Sequence, residues 1–190
     1  MGEAEVIKKV IKDLERVKIP YLISGGFAVN VWGRIRTTHD LDVIIAITTK
    51  DIEALKKIFI SDGFYFPEEA AEDAVLLRST FNVIHHETGL KIDFWILQAD
   101  IFGKSQMRRR KKAKFLGQPI YFISPEDLIL IKLKWYKESE SDRHFFDALS
   151  VCQAQKRLNK KYLKKWAEVL NVSQIFNKLI KQNYGHTTTK

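Results

Sequence analysis

The apolar pattern of this chain changes at residue 124, and that change constrains the fold more than any other feature. Before it, short apolar runs at residues 21–23 and 41–47 alternate with apolar residues spaced three and four apart, which indicate strands and amphipathic helices. From residue 125 onward only the helical spacing occurs. The sequence therefore predicts an α/β (α+β) fold. We expect a small mixed sheet flanked by helices in residues 1–124, and a C-terminal helical bundle packed on that core in residues 125–190.

Local signals assign several further segments. Residues 74–84 and 90–97 predict two strands joined by a glycine-containing turn. Residues 100–113 predict a helix, and residues 119–123 predict a short strand. Ser124-Pro125 predicts the start of a long helix, because serine caps a helix and proline fits its first position.

The formal net charge of +9 is distributed unevenly. Residues 104–114 carry seven basic residues and no acidic one, and residues 156–190 carry nine basic residues and one acidic one. The rest of the chain is net acidic. A dense basic run is either a solvated face or a surface for nucleic-acid phosphates. The run that we single out as an RNA-binding surface consists of Arg108, Arg109, Arg110, Lys111 and Lys112.

Composition also restricts the cellular setting. Cys152 is the only cysteine, so no internal disulfide can form. No apolar run approaches the roughly 20 residues that a bilayer-spanning helix needs, and the N-terminal residues lack the pattern of a secretory signal. We therefore expect a soluble, cytoplasmic protein with no membrane partner.

Asp40 and Asp42 flank Leu41 at the start of a predicted apolar strand. Because strand side chains alternate with a period of two, both carboxylates would emerge on one face. Two carboxylates placed in this way repel each other unless a cation lies between them, and such oxygen ligands suit Mg²⁺. The alternative interpretation is that Asp40 caps a turn and Asp42 is a solvated strand residue.

A glycine turn precedes this pair in the sequence. Gly25 and Gly26 follow a predicted strand and open an apolar helical pattern. Glycine has no β-carbon to keep a triphosphate away from the backbone, and the free N–H groups at the start of a helix bind phosphate. The turn is therefore a candidate phosphate site.

A third carboxylate, Asp93, lies within an apolar strand pattern at residues 91–95. A carboxylate there is unfavourable unless it has a partner, and a metal ion held by Asp40 and Asp42 would be one. The alternative is a solvated acid on an edge strand.

Two further charged residues lie on predicted helices. A helical wheel puts Lys132 at the centre of an apolar arc between Leu128 and Tyr136. A core-facing ammonium needs an anion, which a triphosphate or the acidic site would supply, unless the lysine snorkels from the helix edge. Asp147 lies one turn after Arg143 and is either an active-site residue or the partner in a surface ion pair.

The combined pattern resembles the polymerase-β-type nucleotidyltransferase superfamily, in which a Gly-Gly or Gly-Ser turn precedes Asp-x-Asp and a third Asp on a neighbouring strand. The resemblance covers about residues 21–150. It is carried by Gly25, Gly26, Arg36, Thr38, Asp40, Leu41, Asp42 and Asp93. More narrowly, residues 124–132 and 141–149 are similar to the small nucleotidyltransferases grouped with the type E abortive-infection toxins. Residues 24–26 read Ser-Gly-Gly, where many relatives have Gly-Ser.

The resemblance implies an enzyme that moves a nucleoside monophosphate from a nucleoside triphosphate to an acceptor hydroxyl. Two Mg²⁺ ions would bind Asp40 and Asp42, while Asp93 would bind the catalytic ion and accept the proton of the acceptor. Lys132 would be a fourth catalytic residue. The residues that would bind the nucleotide are Ser24, Gly25, Gly26, Arg36, Thr38, Lys132 and Asp147.

Several acceptors and partners are compatible with this resemblance. In the toxin-like relatives the acceptor is tRNA, and the basic segments favour RNA here, with an antitoxin protein as an expected partner. A small-molecule transferase, like the enzymes that adenylylate antibiotics, is the first alternative. The second is a nucleotide- or RNA-binding module without turnover.

Overall fold

The computed structural model describes residues 2–185, with side chains described through residue 183. The last five residues of the region predicted as a C-terminal bundle, 186–190, lie outside the described residues. Within the described part, none of the helices combines the length and the apolar character that a membrane span requires.

The chain divides into two compact units. The N-terminal unit contains the residues up to Phe27 together with Thr37–Ile123. The C-terminal unit contains Ala28–Arg36 and the residues from Ser124 onward. The segment 28–36 therefore belongs with the C-terminal helices, and a single boundary along the chain does not separate the two units.

A mixed sheet forms the centre of the N-terminal unit. Its strands are β1 (Tyr21–Ile23), β2 (Leu41–Ile45), β3 (Phe64–Tyr65), β4 (Thr80–His85), β5 (Lys91–Ile96), β6 (Lys111–Phe115) and β7 (Gln118–Phe122). Across the sheet they follow the order β3-β4-β5-β2-β1-β7-β6. The helices of this unit are α1 (Glu3–Arg16), α3 (Thr49–Ser61), α4 (Glu68–Leu77) and α5 (Ile101–Arg109), while α2 (Gly25–Trp32) begins here and ends in the other unit.

Burial alternates along the central strands β4, β5 and β2. One face is apolar and forms the core, with Phe94 of β5 packed against Phe81 of β4 and Phe59 of α3. The opposite face stays accessible. It carries Asp93 of β5 in register with Asp42 of the parallel strand β2 and with Asn82 of the antiparallel strand β4.

The prediction of a strand over residues 74–84 is wrong in its first half. Residues 68–77 form α4, and β4 begins only at Thr80. Two buried alanines, Ala71 and Ala74, face the core from α4, and alanine is the best helix former. Arg78, with φ of 50°, ends the helix in the left-handed conformation. The predicted hairpin of β4 with β5 is confirmed.

The prediction of a helix over residues 100–113 is also wrong in part. Helix α5 ends at Arg109, and residues 111–115 form β6, which pairs antiparallel with β7. Leu116 and Gly117 link the two strands, both with positive φ, as in a tight hairpin of the primed type. The basic residues 111–114 are extended because they pair with β7. This pairing, and not their helix propensity, determines their conformation.

The C-terminal unit is helical from Pro125 onward within the described residues, as predicted. It contains α6 (Pro125–Ser139), α7 (Asp142–Ala154), α8 (Lys160–Val169) and α9 (Ser173–Gly185). Ser124 caps α6 by accepting a hydrogen bond from the backbone N–H of Asp127. Helix α6 packs against α7, α8 and α9. A mixed sheet flanked by helices, followed by helices alone, confirms the predicted fold class.

Candidate active site

The glycine turn lies at the end of β1. Ser24 follows the strand, and its backbone N–H donates to the carbonyl of Asp42 at 2.9 Å. Gly25 begins α2 with φ of +58°, a conformation that residues with a side chain rarely adopt. A β-carbon at Gly25 would lie 2.8 Å from the Asp42 Cβ and still nearer to its carboxylate. Glycine is therefore required both by the turn and by the close approach of Asp42.

The hydroxyl of Ser24 is buried without a partner. The residue is 1% exposed, and among the described residues its Oγ has no hydrogen-bond partner. A buried hydroxyl without a partner loses free energy relative to water. Its place beside the first residue of α2 makes it available to an anion at the helix N-terminus.

Asp42 and Asp93 lie side by side on neighbouring strands. They are partners in the parallel register of β2 with β5, and adjacent strands lie about 4.8 Å apart. The indole Nε1 of Trp95 donates to Asp42 Oδ1 at 3.2 Å, which orients that carboxylate. Strand β5 lies between β4 and β2, so the interpretation of Asp93 as an acid on an edge strand is wrong.

Asp40 lies one residue before β2, in the preceding loop. The period-two argument therefore does not apply to Asp40. Lys91 links it to the pair: the Nζ of Lys91 is 3.3 Å from Asp40 Oδ2 and 3.0 Å from Asp93 Oδ2. The hydrogen bond to Asp93, strengthened by the charge of both aspartates, outweighs desolvation and raises the pKa of Lys91 above its ordinary value.

Within the part of the chain that the structure describes, no three histidine, cysteine, aspartate or glutamate side chains form a group arranged to hold a metal ion. The predicted triad is instead a neighbouring pair, Asp42 and Asp93, with Asp40 joined through an ammonium. The residues nevertheless fit Mg²⁺ chemically. All the donors are carboxylate oxygens, and a cation already contacts two of the three carboxylates.

The C-terminal unit holds a cluster of three charged side chains, of which Lys132 and Asp147 are buried and Arg36 is partly buried. Asp147 accepts hydrogen bonds from Arg36 Nε at 2.8 Å and from Arg36 Nη2 at 2.9 Å. The Nζ of Lys132 lies 2.9 Å from Asp147 Oδ2, and the side chains of Lys132 and Asp147 are only 4% and 5% exposed. Lys132 is therefore buried, as the helical wheel predicts, and Asp147 is not part of a surface ion pair.

Two opposing effects act on the pKa of Asp147. Burial by itself raises it, but hydrogen bonds and charges from Arg36 and Lys132 outweigh burial and hold the pKa below its ordinary value. One carboxylate is thus shared between two cations in this cluster, which makes the three side chains together net positive.

The remaining predicted residues lie elsewhere in the chain. Thr38 is half-buried in the loop that precedes Asp40. The basic run divides between the end of α5, with Arg108 and Arg109, and the edge strand β6, where Lys111 and Lys112 are exposed. Arg110, between the two elements, and Lys112 both lie over the ring of Tyr121, at 4.5 and 4.9 Å from its centroid.

Sequence reasoning missed Lys91 and Trp95. Both alternate with Asp93 along β5, so the period of two places all three on one face. That spacing was visible in the sequence, but only the register of β5 with β2 shows that Trp95 reaches Asp42 and that Lys91 reaches Asp40.

No protein-family model and no curated protein matches the chain. Among solved structures it resembles ANT(2'')-Ia in complex with adenylyl-2''-tobramycin, with a TM-score of 0.61 and 17% identity over 89% of this chain and 97% of that one. It also resembles lincomycin-bound LnuA, a lincosamide antibiotic adenylyltransferase (TM-score 0.54, 15% identity, 80% and 98% coverage). A third is an antigenic nucleotidyltransferase-like protein from Paracoccidioides brasiliensis (TM-score 0.56, 16% identity, 94% and 91% coverage). The chain therefore shares its fold with nucleotidyltransferases.

Proposed function

We propose that this protein transfers a nucleoside monophosphate from a nucleoside triphosphate to an acceptor hydroxyl and releases pyrophosphate. The observation that carries the proposal is the close approach of Gly25, the first residue of α2, to the carboxylate of Asp42. A helix N-terminus attracts phosphate, and neighbouring carboxylates attract a divalent cation. A metal-bound triphosphate needs a helix N-terminus and metal-binding carboxylates close to each other. The fold shared with nucleotidyltransferases supports the same activity.

In this proposal the N-terminal unit binds the reacting end of the nucleotide. The backbone of Gly25 and Gly26 and the buried hydroxyl of Ser24 donate to phosphate oxygens. Asp93 accepts the proton of the acceptor hydroxyl on a carboxylate oxygen, and Trp95 holds Asp42 in a fixed orientation.

Asp40, Asp42 and Asp93 are the proposed ligands of two Mg²⁺ ions. Bound there, the ions would supply positive charge that lowers the pKa of the acceptor hydroxyl and neutralises the pyrophosphate. The oxygen-only donor set supports this choice of metal.

Arg36, Lys132 and Asp147, the charged cluster of the C-terminal unit, are proposed nucleotide-binding residues. Arg36 and Lys132 carry two positive charges against the one of Asp147, so the cluster attracts anions. Asp147 keeps both cations in place through three contacts of 2.8 to 2.9 Å. Thr38, in the loop before Asp40, completes the proposed nucleotide-binding set.

RNA, and tRNA in particular, is the acceptor that we propose, with a toxin of a toxin–antitoxin pair as the biological role. The support is the exposed basic edge of the sheet, where Lys111, Lys112 and Lys114 follow Arg108 and Arg109. Positive residues on an exposed strand neutralise backbone phosphates without regard to base sequence. An antitoxin protein would be the regulatory partner.

A small-molecule acceptor is the second candidate, and one observation favours it. The accessible face of β4 exposes Thr80, Asn82 and Ile84, and Asn82 lies in register with Asp93. Neutral hydrogen-bonding and apolar side chains beside the carboxylates suit a hydroxylated compound better than a polyanion. ANT(2'')-Ia and LnuA, which share the fold, are known in complex with adenylyl-2''-tobramycin and with bound lincomycin, respectively.

One labelling experiment tests the activity and the acceptor together. The protein is incubated with Mg²⁺ and each of the four nucleoside triphosphates labelled at the α-phosphate, with total cellular RNA or with a panel of aminoglycosides and lincosamides. We expect label in RNA. Label in a small molecule instead would assign the second candidate function.

A matched pair of variants controls the experiment. Asp42→Asn removes the charge of the central carboxylate and should abolish labelling, whereas Asp73→Asn makes the same change on the exposed side of α4 and should not affect it. Triphosphate binding without pyrophosphate release in any acceptor mixture would indicate a binding module. No triphosphate binding at all would refute the proposal.

A further inference from the structure

Lys91 is a charged residue at the candidate active site, and the proposed function does not use it. It is the first residue of β5 and shares a strand face with Asp93. Its ammonium contacts carboxylates from two separate segments: Asp93 on its own strand and Asp40 in the loop before β2. Any role for these carboxylates in binding a cation therefore involves Lys91.

We propose that Lys91 is a built-in counter-ion of the acidic site: its ammonium neutralises Asp40 and Asp93 in the metal-free protein and is displaced when a divalent cation binds there. This inference rests on the proposed function, since it takes these carboxylates as metal ligands.

The contacts of Lys91 indicate that a divalent ion would displace its ammonium and not bind beside it. Lys91 contacts Oδ2 of Asp93 at 3.0 Å and Oδ2 of Asp40 at 3.3 Å. Both oxygens are proposed metal ligands. If a divalent ion binds them, its positive charge repels the ammonium of Lys91 at these distances. Among the described residues Asp40 makes no other ion pair, so Lys91 also draws this loop residue toward the pair formed by Asp42 and Asp93.

The ion pair is also weak enough to give way. The side chain of Lys91 is 36% exposed, and those of Asp40 and Asp93 are 49% and 20% exposed. Ion pairs at such partly exposed positions contribute little to stability because water screens them. Because the aliphatic part of a lysine side chain is flexible and that of Lys91 is partly solvated, its ammonium can move away from Asp40 and Asp93.

As a counter-ion, Lys91 would also affect which metal ions the site accepts. A monovalent ion brings the same charge as the ammonium and gains little by replacing it, whereas a divalent ion brings twice the charge to the same carboxylates. Lys91 would thus keep the site closed to Na⁺ and K⁺ while leaving it open to Mg²⁺ or Mn²⁺.

The test measures Mn²⁺ binding by the loss of the free Mn²⁺ signal in electron paramagnetic resonance, together with thermal unfolding with and without Mn²⁺. The variants are Lys91→Met, which keeps the length of the side chain without its charge, and Lys91→Gln, which keeps a polar end in case the first variant folds poorly. Lys12→Met is the control, because Lys12 is exposed on α1.

We expect both Lys91 variants to bind Mn²⁺ about fivefold more tightly than the wild type, because a competitor of modest strength is gone. Without metal they should unfold at a lower temperature than the wild type, and saturating Mn²⁺ should remove that difference. Lys12→Met should change neither quantity. Unchanged or weaker Mn²⁺ binding by the Lys91 variants would overturn the inference.

Asp42→Asn separates this inference from the proposed function. If the wild type binds Mn²⁺ and Asp42→Asn does not, the metal site stands, and the Lys91 variants then decide the inference alone. If only the Lys91 variants bind Mn²⁺, the lysine blocks the site and the inference is supported. If no variant binds Mn²⁺, the proposed metal site and the role of Lys91 both fail.

Discussion

Gly25 lies so close to Asp42 that a β-carbon at Gly25 would overlap the carboxylate of Asp42. This contact joins the start of α2 to the strand that carries the central acid of the candidate site. The indole of Trp95 donates a hydrogen bond to the same carboxylate, at Oδ1. The position of Asp42 is therefore restricted both by the backbone at Gly25 and by the side chain of Trp95.

Gly25→Ala should abolish most of the activity by displacing Asp42. A methyl group there meets the carboxylate, and misplacing a catalytic group by about 1 Å can reduce the rate about 100-fold. Gly89→Ala is the matched control. Gly89 also has a positive φ, of 70°, but open space around its Cβ position, so this variant should lose only about 1 kcal/mol of stability. Turnover and the free energy of unfolding of both variants check the prediction, and equal turnover in the two would contradict it.

Trp95→Phe should weaken the metal site without unfolding the protein. Phenylalanine keeps much of the ring but loses the N–H that donates to Asp42 Oδ1 at 3.2 Å. A hydrogen bond to a charged acceptor is worth about 1.5 kcal/mol, which corresponds to about a tenfold higher Mn²⁺ dissociation constant. Trp166→Phe makes the same change on α8, beside Tyr162, and should leave Mn²⁺ binding as it is. Mn²⁺ titration of the two variants distinguishes a role in orientation from a role in packing.

Asp147→Asn should destabilise the protein at neutral pH. It leaves the positive charges of Arg36 and Lys132 without their carboxylate, and breaking a buried pair costs about 3 kcal/mol. Because the folded-state pKa of Asp147 is depressed, this stabilisation is present above about pH 4 and is lost as the pH falls through the folded value. Urea unfolding should therefore show a larger difference between Asp147→Asn and the wild type at pH 7 than at pH 3. Asp142→Asn, exposed on the same helix, should show little difference at either pH.

His144 should make the protein less stable in mild acid. Burial, followed by the charge of Lys132, lowers the pKa of His144, so the unfolded chain binds a proton more readily than the folded one. Stability should fall as the pH decreases below about 6.5, toward the lower folded pKa. Unfolding of His144→Gln measured from pH 7.5 to pH 5 should show a smaller loss than the wild type. The exposed His86→Gln should follow the wild-type curve, and a wild-type curve for both would contradict the prediction.

Charge reversal on β6 should weaken RNA binding and reduce its dependence on salt. Lys112 and Lys114 are exposed on this edge strand, and each phosphate contact contributes about 0.7 to 0.9 to the slope of log K against log salt. The double variant Lys112→Glu/Lys114→Glu should therefore lower the slope by about 1.5. The double variant Lys134→Glu/Lys137→Glu, at two exposed positions on α6, makes the same change in net charge and is the control. Equal slopes for the two variants would remove β6 from the RNA-binding surface.

Much of the fold could be predicted from patterns among residues close in sequence. The alternating strands β2 and β5, the capped start of α6 at Ser124 and the helical C-terminal unit follow from residues close in sequence, and they are confirmed. The two wrong segments show the limit of such patterns. The residues of β6 prefer a helix by composition, and only pairing with β7 makes them a strand.

The buried lysine shows the same limit for the site. The helical wheel predicts that Lys132 faces inward, because it depends only on spacing along one helix. Its partner Asp147 lies 15 positions further along the chain. Arg36, the second cation that contacts Asp147, lies 111 positions before it.

The sequence by itself determined which residues are candidates for the proposed chemistry: the glycine turn, the three aspartates and the core-facing lysine are all visible as local patterns. The tertiary structure alone decided their partners. Strand register sets Asp42 beside Asp93 and brings Trp95 and Lys91 to the acids, and the folding of the C-terminal unit pairs Asp147 with Arg36 and Lys132. The physical reason is that side-chain direction follows from the period of one strand or helix, whereas a contact depends on how separate segments pair.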